Sequence, residues 1–268
     1  MAQLKKIVKF LNNYLKIKDI KDTSRNGLQV RGRPEASKIA FTENAGLDTF
    51  KIALKEKADL IVVHHGILWK RLPFSRNKWF KKLVTRRIKF LERNNLSLYA
   101  AHLPLDRHRT VGNIAQLIKL LGAEIESGFA YEGGKNVAWV GKFTNAVNLK
   151  KIVSILERGL KTKCVVLAFG NKKIKTIAVC SGGAGSKTLY DALNKKVDAY
   201  LTGEQKDFYT AVKDLNFNVI FAGHYATETV GLKALMKVVE KKFKASPVRK
   251  DKFSNGVKSI FIDDPTGL

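Results

Sequence analysis

Two adjacent histidines, His64 and His65, close an apolar run over 60–63 and are followed at once by Gly66. Successive side chains on a strand point to opposite faces, so an extended chain cannot easily offer both imidazoles to one ion. At the carboxyl end of a strand, with Gly66 permitting a turn, they fan into a shared crevice, which is where ligands of open α/β sheets sit. A close pair of ions suits adjacent imidazoles better than one ion, because each ring can serve a different metal. The plain alternative is a core histidine followed by a surface one. Two further segments repeat the pattern. LSLYAAHLPLD (96–106) is an apolar run ending in His102, with Asp106 four residues on. Pro104 argues against a helix between them, so both groups are expected in one short post-strand loop. NVIFAGHYATETVGL (218–232) reads as strand, Gly223, His224, then a helix with Glu228 in its first turn. There Glu228 can also be read as dipole compensation and Thr227 as a cap. Four of the five histidines and two carboxylates thus follow expected buried strands, a joint pattern that chance does not explain. Imidazole and carboxylate ligands suit Zn, Mn, Fe, Co or Ni without choosing among them. The fifth, His108, lies between arginines in DRHRT and is expected to face solvent.

Two other segments have functional and plain readings. CSGGAGSKT (180–188) resembles a phosphate-binding loop, but Ser181 and Ser186 stand where the Walker pattern requires glycines. A tight strand-to-helix turn is the favoured reading. Residues 70–93 (KRLPFSRNKWFKKLVTRRIKFLER) hold ten Lys+Arg and one acid, with Phe74, Trp79, Phe80 and Phe90 interleaved. That combination offers charge and stacking surface to a single-stranded nucleic acid or a phosphorylated substrate. The plain reading is a helix with Trp79, Leu83, Ile88 and Leu91 packed inward and a solvated basic face.

The elements that must position these groups alternate. Strands are expected over 38–42, 59–64, 96–102, 137–143, 164–169, 174–180, 199–202, 219–222 and 258–262. Helices are expected over 47–56, 78–94, 111–121, 149–159, 186–194, 207–215 and 227–243, with a further amphipathic helix near the start on Leu4, Ile7, Val8, Leu11 and Leu15. Short apolar strands alternating with helices predict an α/β protein with largely buried sheets. SGFAYEGGKN (127–136), with three glycines, reads as a linker or long loop between two halves. The 268 residues, 45% hydrophobic, suffice for one large or two modest domains. A net charge of +27 attracts polyanions whatever the fold. No apolar stretch is long enough for a membrane span, and the N-terminus lacks the pattern of a secretory signal. Cys164 and Cys180 form no CxxC and read as core thiols of a reducing cytoplasm.

Taken together, NGLQV (26–30), ENAGLDTF (43–50), VVHHGILW (62–69), YAAHLPLD (99–106), CSGGAGS (180–186), YLTGEQKDF (200–208) and AGHYATE (222–228) resemble the Nif-three-like family, also labelled GTP cyclohydrolase type 2 homologues. The motifs run in family order over nearly the whole chain. The resemblance implies two interlinked α/β lobes with buried mixed sheets, commonly assembled as a toroidal hexamer. It implies a first lobe over 1–125 completed by 229–268, a second over 126–228, and a site for two divalent metal ions at their interface. Carried across, His64, His65, Asp106, His224 and Glu228 match metal ligands, with Glu228 the bridging candidate. His102 matches a histidine that orients a ligand or water, and Glu204, in the GE motif, a base or supporting group. Where many members carry a second histidine, this chain has Tyr225. The expected activity is metal-dependent hydrolysis of a nucleotide-like or other phosphorylated, anionic small molecule. The alternatives are a metal carrier or regulatory interaction protein, and a nucleic-acid-binding ring.

Overall fold

The structure is a computed structural model and describes residues 1–70, 76–244 and 256–266. Phe74, one of the interleaved aromatics, lies outside the described residues. The chain forms two compact units: Met1–Leu105 with Leu232–Asp264, and Asp106–Gly231 with Pro265–Leu268.

The first unit contains β1 (Ala2–Gln3), α1 (Leu4–Tyr14), β2 (Gly27–Val30), β3 (Glu35–Ala36), β4 (Lys38–Asn44), α2 (Leu47–Lys55), β5 (Leu60–His65), α3 (Lys78–Arg93), β6 (Ser97–Ala100) and the start of α4 (Leu103–Asp106). The second contains α5 (Asn113–Leu120), β7 (Glu124–Glu132), β8 (Lys135–Asn148), α6 (Leu149–Leu160), β9 (Val165–Ala168), β10 (Lys173–Val179), α7 (Ser186–Leu193), β11 (Ala199–Thr202), α8 (Tyr209–Asp214) and β12 (Asn218–Phe221). The long α9 (His224–Lys242) begins in the second unit and ends in the first, which β13 (Lys258–Phe261) completes.

The first unit is built on a five-stranded sheet in the order β13-β4-β5-β6-β2, parallel except for β2. Continuous runs such as Leu60–Val63, all fully buried, suit a parallel sheet covered on both faces. One core cluster gathers Phe50 and Ala53 from α2, Ile61 and Val63 from β5, Leu91 from α3 and Ile262. The second unit is built on a six-stranded mixed sheet, β7-β8-β10-β11-β12-β9, in which only the β10-β11 and β11-β12 pairs are parallel. The α/β architecture with buried mixed sheets is therefore as the sequence predicts.

Three expectations change. The linker read at 127–136 is an antiparallel hairpin: β7 pairs with β8 and the chain turns at Gly133 and Gly134, both at positive φ. Gly-Gly between two alternating segments is a two-residue hairpin turn, and the polar outer face of β7 hides the alternation. The division between units falls at Leu105–Asp106 rather than at 125, because α5 packs on β7, β8 and β10. The HLPLD loop contains one helical turn, α4, with Pro104 as its second residue. Proline is tolerated there, since N–H groups of a first turn have no intrahelical partner.

Candidate metal centre

In the first unit the register of the parallel strands lines up their carboxyl ends. Asn44 of β4 lies opposite His65 of β5, and Val63 opposite Ala100 of β6. His64, His65 and His102 therefore emerge together. Their ring centroids are 4.8 Å apart for His64 and His65, 5.1 Å for His64 and His102, and 5.6 Å for His65 and His102. Each offers a nitrogen within 4.8 Å of the others, a spacing that can hold a metal ion. The two adjacent rings thus converge although they end one strand, and the chain leaves that strand at Gly66. A Cβ at Gly66 would run into the Gln29 side chain, whose Oε1 accepts the N–H groups of Ile67 and Leu68 at 2.8 and 3.1 Å.

Each ring is held through Nδ1 by an oxygen acceptor. His64 Nδ1 donates to the Ala101 carbonyl at 2.9 Å. His65 Nδ1 lies 3.1 Å from both Asn44 Oδ1 and Glu43 Oε1. His102 Nδ1 lies 3.0 and 3.2 Å from the two oxygens of Asp22. An acceptor at Nδ1 places the proton there and leaves the Nε2 lone pair to meet an ion, the usual device for orienting imidazole ligands. Asp22 is anchored further by the amide of Asn26 at 2.7 Å and the N–H of Ser24 and Leu103 at 2.9 and 3.0 Å. Burial pushes its carboxyl up, but the hydrogen bond and charge of His102, with Asn26 and Ser24, outweigh that and hold it below the usual range.

The second unit repeats the device on its own strand ends. The parallel register Val179↔Leu201 and Thr202↔Phe221 brings the turn after β10, Glu204 after β11 and His224 after β12 side by side. His224 Nδ1 donates to Glu204 Oε1 at 2.7 Å, and His224 Nε2 lies 2.9 Å from Glu228 Oε2, one turn along α9. Glu204 also takes the ammonium of Lys206, the larger of the two influences that hold its carboxyl below the usual range. Gly182 bends the glycine-rich turn around the carboxylate. It adopts φ +64, and a Cβ there would collide with Glu228 Oε1. Its N–H donates to Thr227 Oγ1 at 3.0 Å. Asp106, buried like Glu228, accepts Ser181 Oγ and Asn113 Nδ2, each at 2.8 Å. The negative charge shows at Cys180, whose thiol is pushed up by burial first and then by Asp106 and Glu228.

Of the seven residues singled out in the sequence, His64, His65 and His102 lie at strand ends of one unit and Glu204 and His224 at strand ends of the other, where Asp106 ends α4 and Glu228 lies one turn into α9. The residues missed are Asp22, Glu43 and Asn44, which orient His102 and His65. Glu43 and Asn44 end β4 and carry the same strand-end signal as the histidines; Asp22 lies in an irregular loop that no periodicity marks. Tyr225 is buried in the first turn of α9. His108 is only half exposed, and its ring accepts the N–H of Thr110 and Val111 at 3.3 Å, so it organises a turn. The turn over 180–185 wraps carboxylates, which is the opposite of a phosphate cradle. Among the described residues no helix is long and apolar enough to cross a membrane.

The donor set suits divalent ions: imidazole nitrogens fixed by acceptors behind them, and buried carboxylates of the kind that cations compensate. Comparison with known proteins points the same way in fold. A model of the family Duf34/NIF3 (NGG1p interacting factor 3) matches residues 2–255. A Pyrococcus horikoshii protein called GTP cyclohydrolase 1 type 2 homolog is 42% identical over 264 residues, covering 98% of each chain. The solved structure of the protein ybgI, of unknown function, superimposes with a TM-score of 0.82 at 29% identity, covering 98% of this chain and 100% of the other. A crystal structure from Thermus thermophilus gives 0.79 at 32% identity and covers 100% of both chains.

Proposed function

We propose, since this chain belongs to the Duf34/NIF3 (NGG1p interacting factor 3) family, that it gathers the two strand-end clusters around two divalent ions and hydrolyses an anionic, nucleotide-like or otherwise phosphorylated small molecule. The observation that carries this reading is the repeated fixing of Nδ1: Ala101, Glu43 with Asn44, Asp22 and Glu204 each stand behind one histidine. Core histidines have no need of four such arrangements at three strand ends; ligands do. In this reading His64, His65, Asp106, His224 and Glu228 hold the ions, in a toroidal hexamer of the kind the family resemblance implies.

Ions held there would polarise the bond to be cleaved and make water more acidic. The chain's own residues do the rest. His102, with Asp22 behind it, takes up and returns a proton at Nε2, because the carboxylate stabilises the imidazolium that forms. Glu204, held ionised by Lys206 and His224, fixes the His224 ring through Nδ1. Ser181 and Asn113 hold the Asp106 carboxylate in one orientation. Lys206 supplies a cation beside the site for an anionic substrate. The two unpaired cysteines fit a reducing cytoplasm.

The test is metal analysis of untagged protein together with a panel of nucleotides and phosphoesters. About two transition-metal equivalents per chain are expected, with turnover abolished by chelation, by His65→Ala and by Glu228→Gln while the fold is retained. A protein that carries exchangeable metal but hydrolyses nothing on the panel would instead be a metal carrier.

A further inference from the structure

Helix α3 faces the opposite way from the sequence expectation at two positions. Trp79 and Leu83, expected to pack inward, are 64% and 39% exposed. Leu91 fills the core as expected, with Ile88 and Phe90 partly buried against it, and Phe90 stacks on Phe50 of α2 at a centroid distance of 6.1 Å. The indole is left in solvent between two ammonium groups: Lys78 Nζ and Lys82 Nζ lie 5.8 and 5.1 Å from its ring centroid. An aromatic face flanked by cations is a stacking platform for a base whose phosphates the cations can take.

The helix also carries a ladder of charge. Lys78, Lys82, Arg86, Lys89 and Arg93 recur every three or four residues, so they share a stripe with rungs about 5–6 Å apart along the axis. Beside that stripe a shallow cavity of ≈ 800 Å³ opens between α2 and α3. Its cationic lining is Lys51, Lys81, Lys82, Arg86, Lys89 and Arg93, and no carboxylate lines it. Leu47 and Phe90 add apolar surface. Among the described residues, the only ion pair reaching this lining is Lys51–Asp48 at 2.7 Å. So many cations, with Asp48 beside Lys51 and Glu92 the one acid on α3 itself, repel one another in the absence of a counter-charge.

We propose that the α2–α3 groove binds single-stranded nucleic acid, with phosphates following the cationic ladder and a base stacked on Trp79. A second copy of the same face would set like charge against like charge. An anionic bilayer is flat and would leave cations on the groove walls unmatched. A flexible polyanion with aromatic bases satisfies both the concavity and the indole. The surface lies entirely within the first unit and is independent of the metal centre.

The test is fluorescence anisotropy of labelled oligouridylate and oligothymidylate 12-mers with the intact protein, titrated between about 50 and 300 mM KCl. Saturable binding of both is expected, with log K falling against log salt with a slope of about −3 to −4, as for about five phosphates on a single strand. Lys82→Glu/Arg86→Glu should weaken binding more than about tenfold and flatten that slope by about 1.4. Trp79→Ala should weaken it about five- to a hundredfold without altering the slope, and Trp79→Phe should restore most of it. Lys150→Glu/Lys151→Glu, at the exposed start of α6 in the other unit, makes the same change in net charge and should leave binding intact. Circular dichroism shows that each variant is folded. The proposal is overturned if neither oligonucleotide binds saturably, if the α6 pair weakens binding as much as the α3 pair, or if phosphatidylserine vesicles bind where the oligonucleotides do not.

Discussion

At the scale of single residues, the partner behind each histidine decides what the ring can do. Asp22→Asn preserves shape and removes the charge behind His102. Since His102 moves a proton and does not hold an ion, turnover is expected to fall by about ten- to a hundredfold, with metal affinity, measured against a chromophoric chelator, and secondary structure unchanged. A loss of affinity with turnover kept would show that His102 holds an ion instead. The histidines themselves were legible because each ends an apolar run, which is a statement about strands before it is one about chemistry. Asp22 was not legible. Its role depends on a loop that returns to His102 and to the start of α4 across about eighty residues of sequence, and no local pattern encodes such a meeting.

At the scale of elements, parallel register converts sequence order into spatial order. Three strand ends stand abreast in each unit, so residues tens of positions apart become neighbours without any one of them being special in its own segment. The parallel strands were legible for that reason: buried on both faces, they read as unbroken apolar runs. The β7–β8 hairpin was not, because Glu124, Glu132 and Lys135 are exposed and its glycines suggested a break. The Gly-Gly turn was the available signal. Trp79 shows the converse: helical spacing groups Trp79 and Leu83 with Ile88 and Leu91 but does not say how far along the helix the core reaches. Caps behave more simply. Asn148 accepts the N–H of Lys150 at 2.9 Å and opens α6. Asn148→Ala should cost about 1 kcal/mol in urea unfolding, within the range usual for N-caps; no change would mean that packing of Ile152 and Leu156 alone fixes the helix start.

At the scale of the whole molecule, a bound ion acts on folding by mass action. Free metal at about a hundred times its dissociation constant stabilises the folded state by about 2.7 kcal/mol per site. Differential scanning calorimetry should therefore show the melting temperature rising by several degrees on metal loading and falling back on chelation. A melting temperature indifferent to metal would mean that the carboxylates and imidazoles gain nothing from ions.

The first unit is discontinuous: its sheet begins near the N-terminus, yet the edge strand beside β4 is β13, at 258–261. A nascent chain leaves the ribosome from its amino end. The segment 106–231, although made later, is therefore available in full while the earlier half still waits for its last strand. The order of birth and the order of completion are reversed, and an interrupted translation product would display His64 and His65 on a sheet with a raw edge.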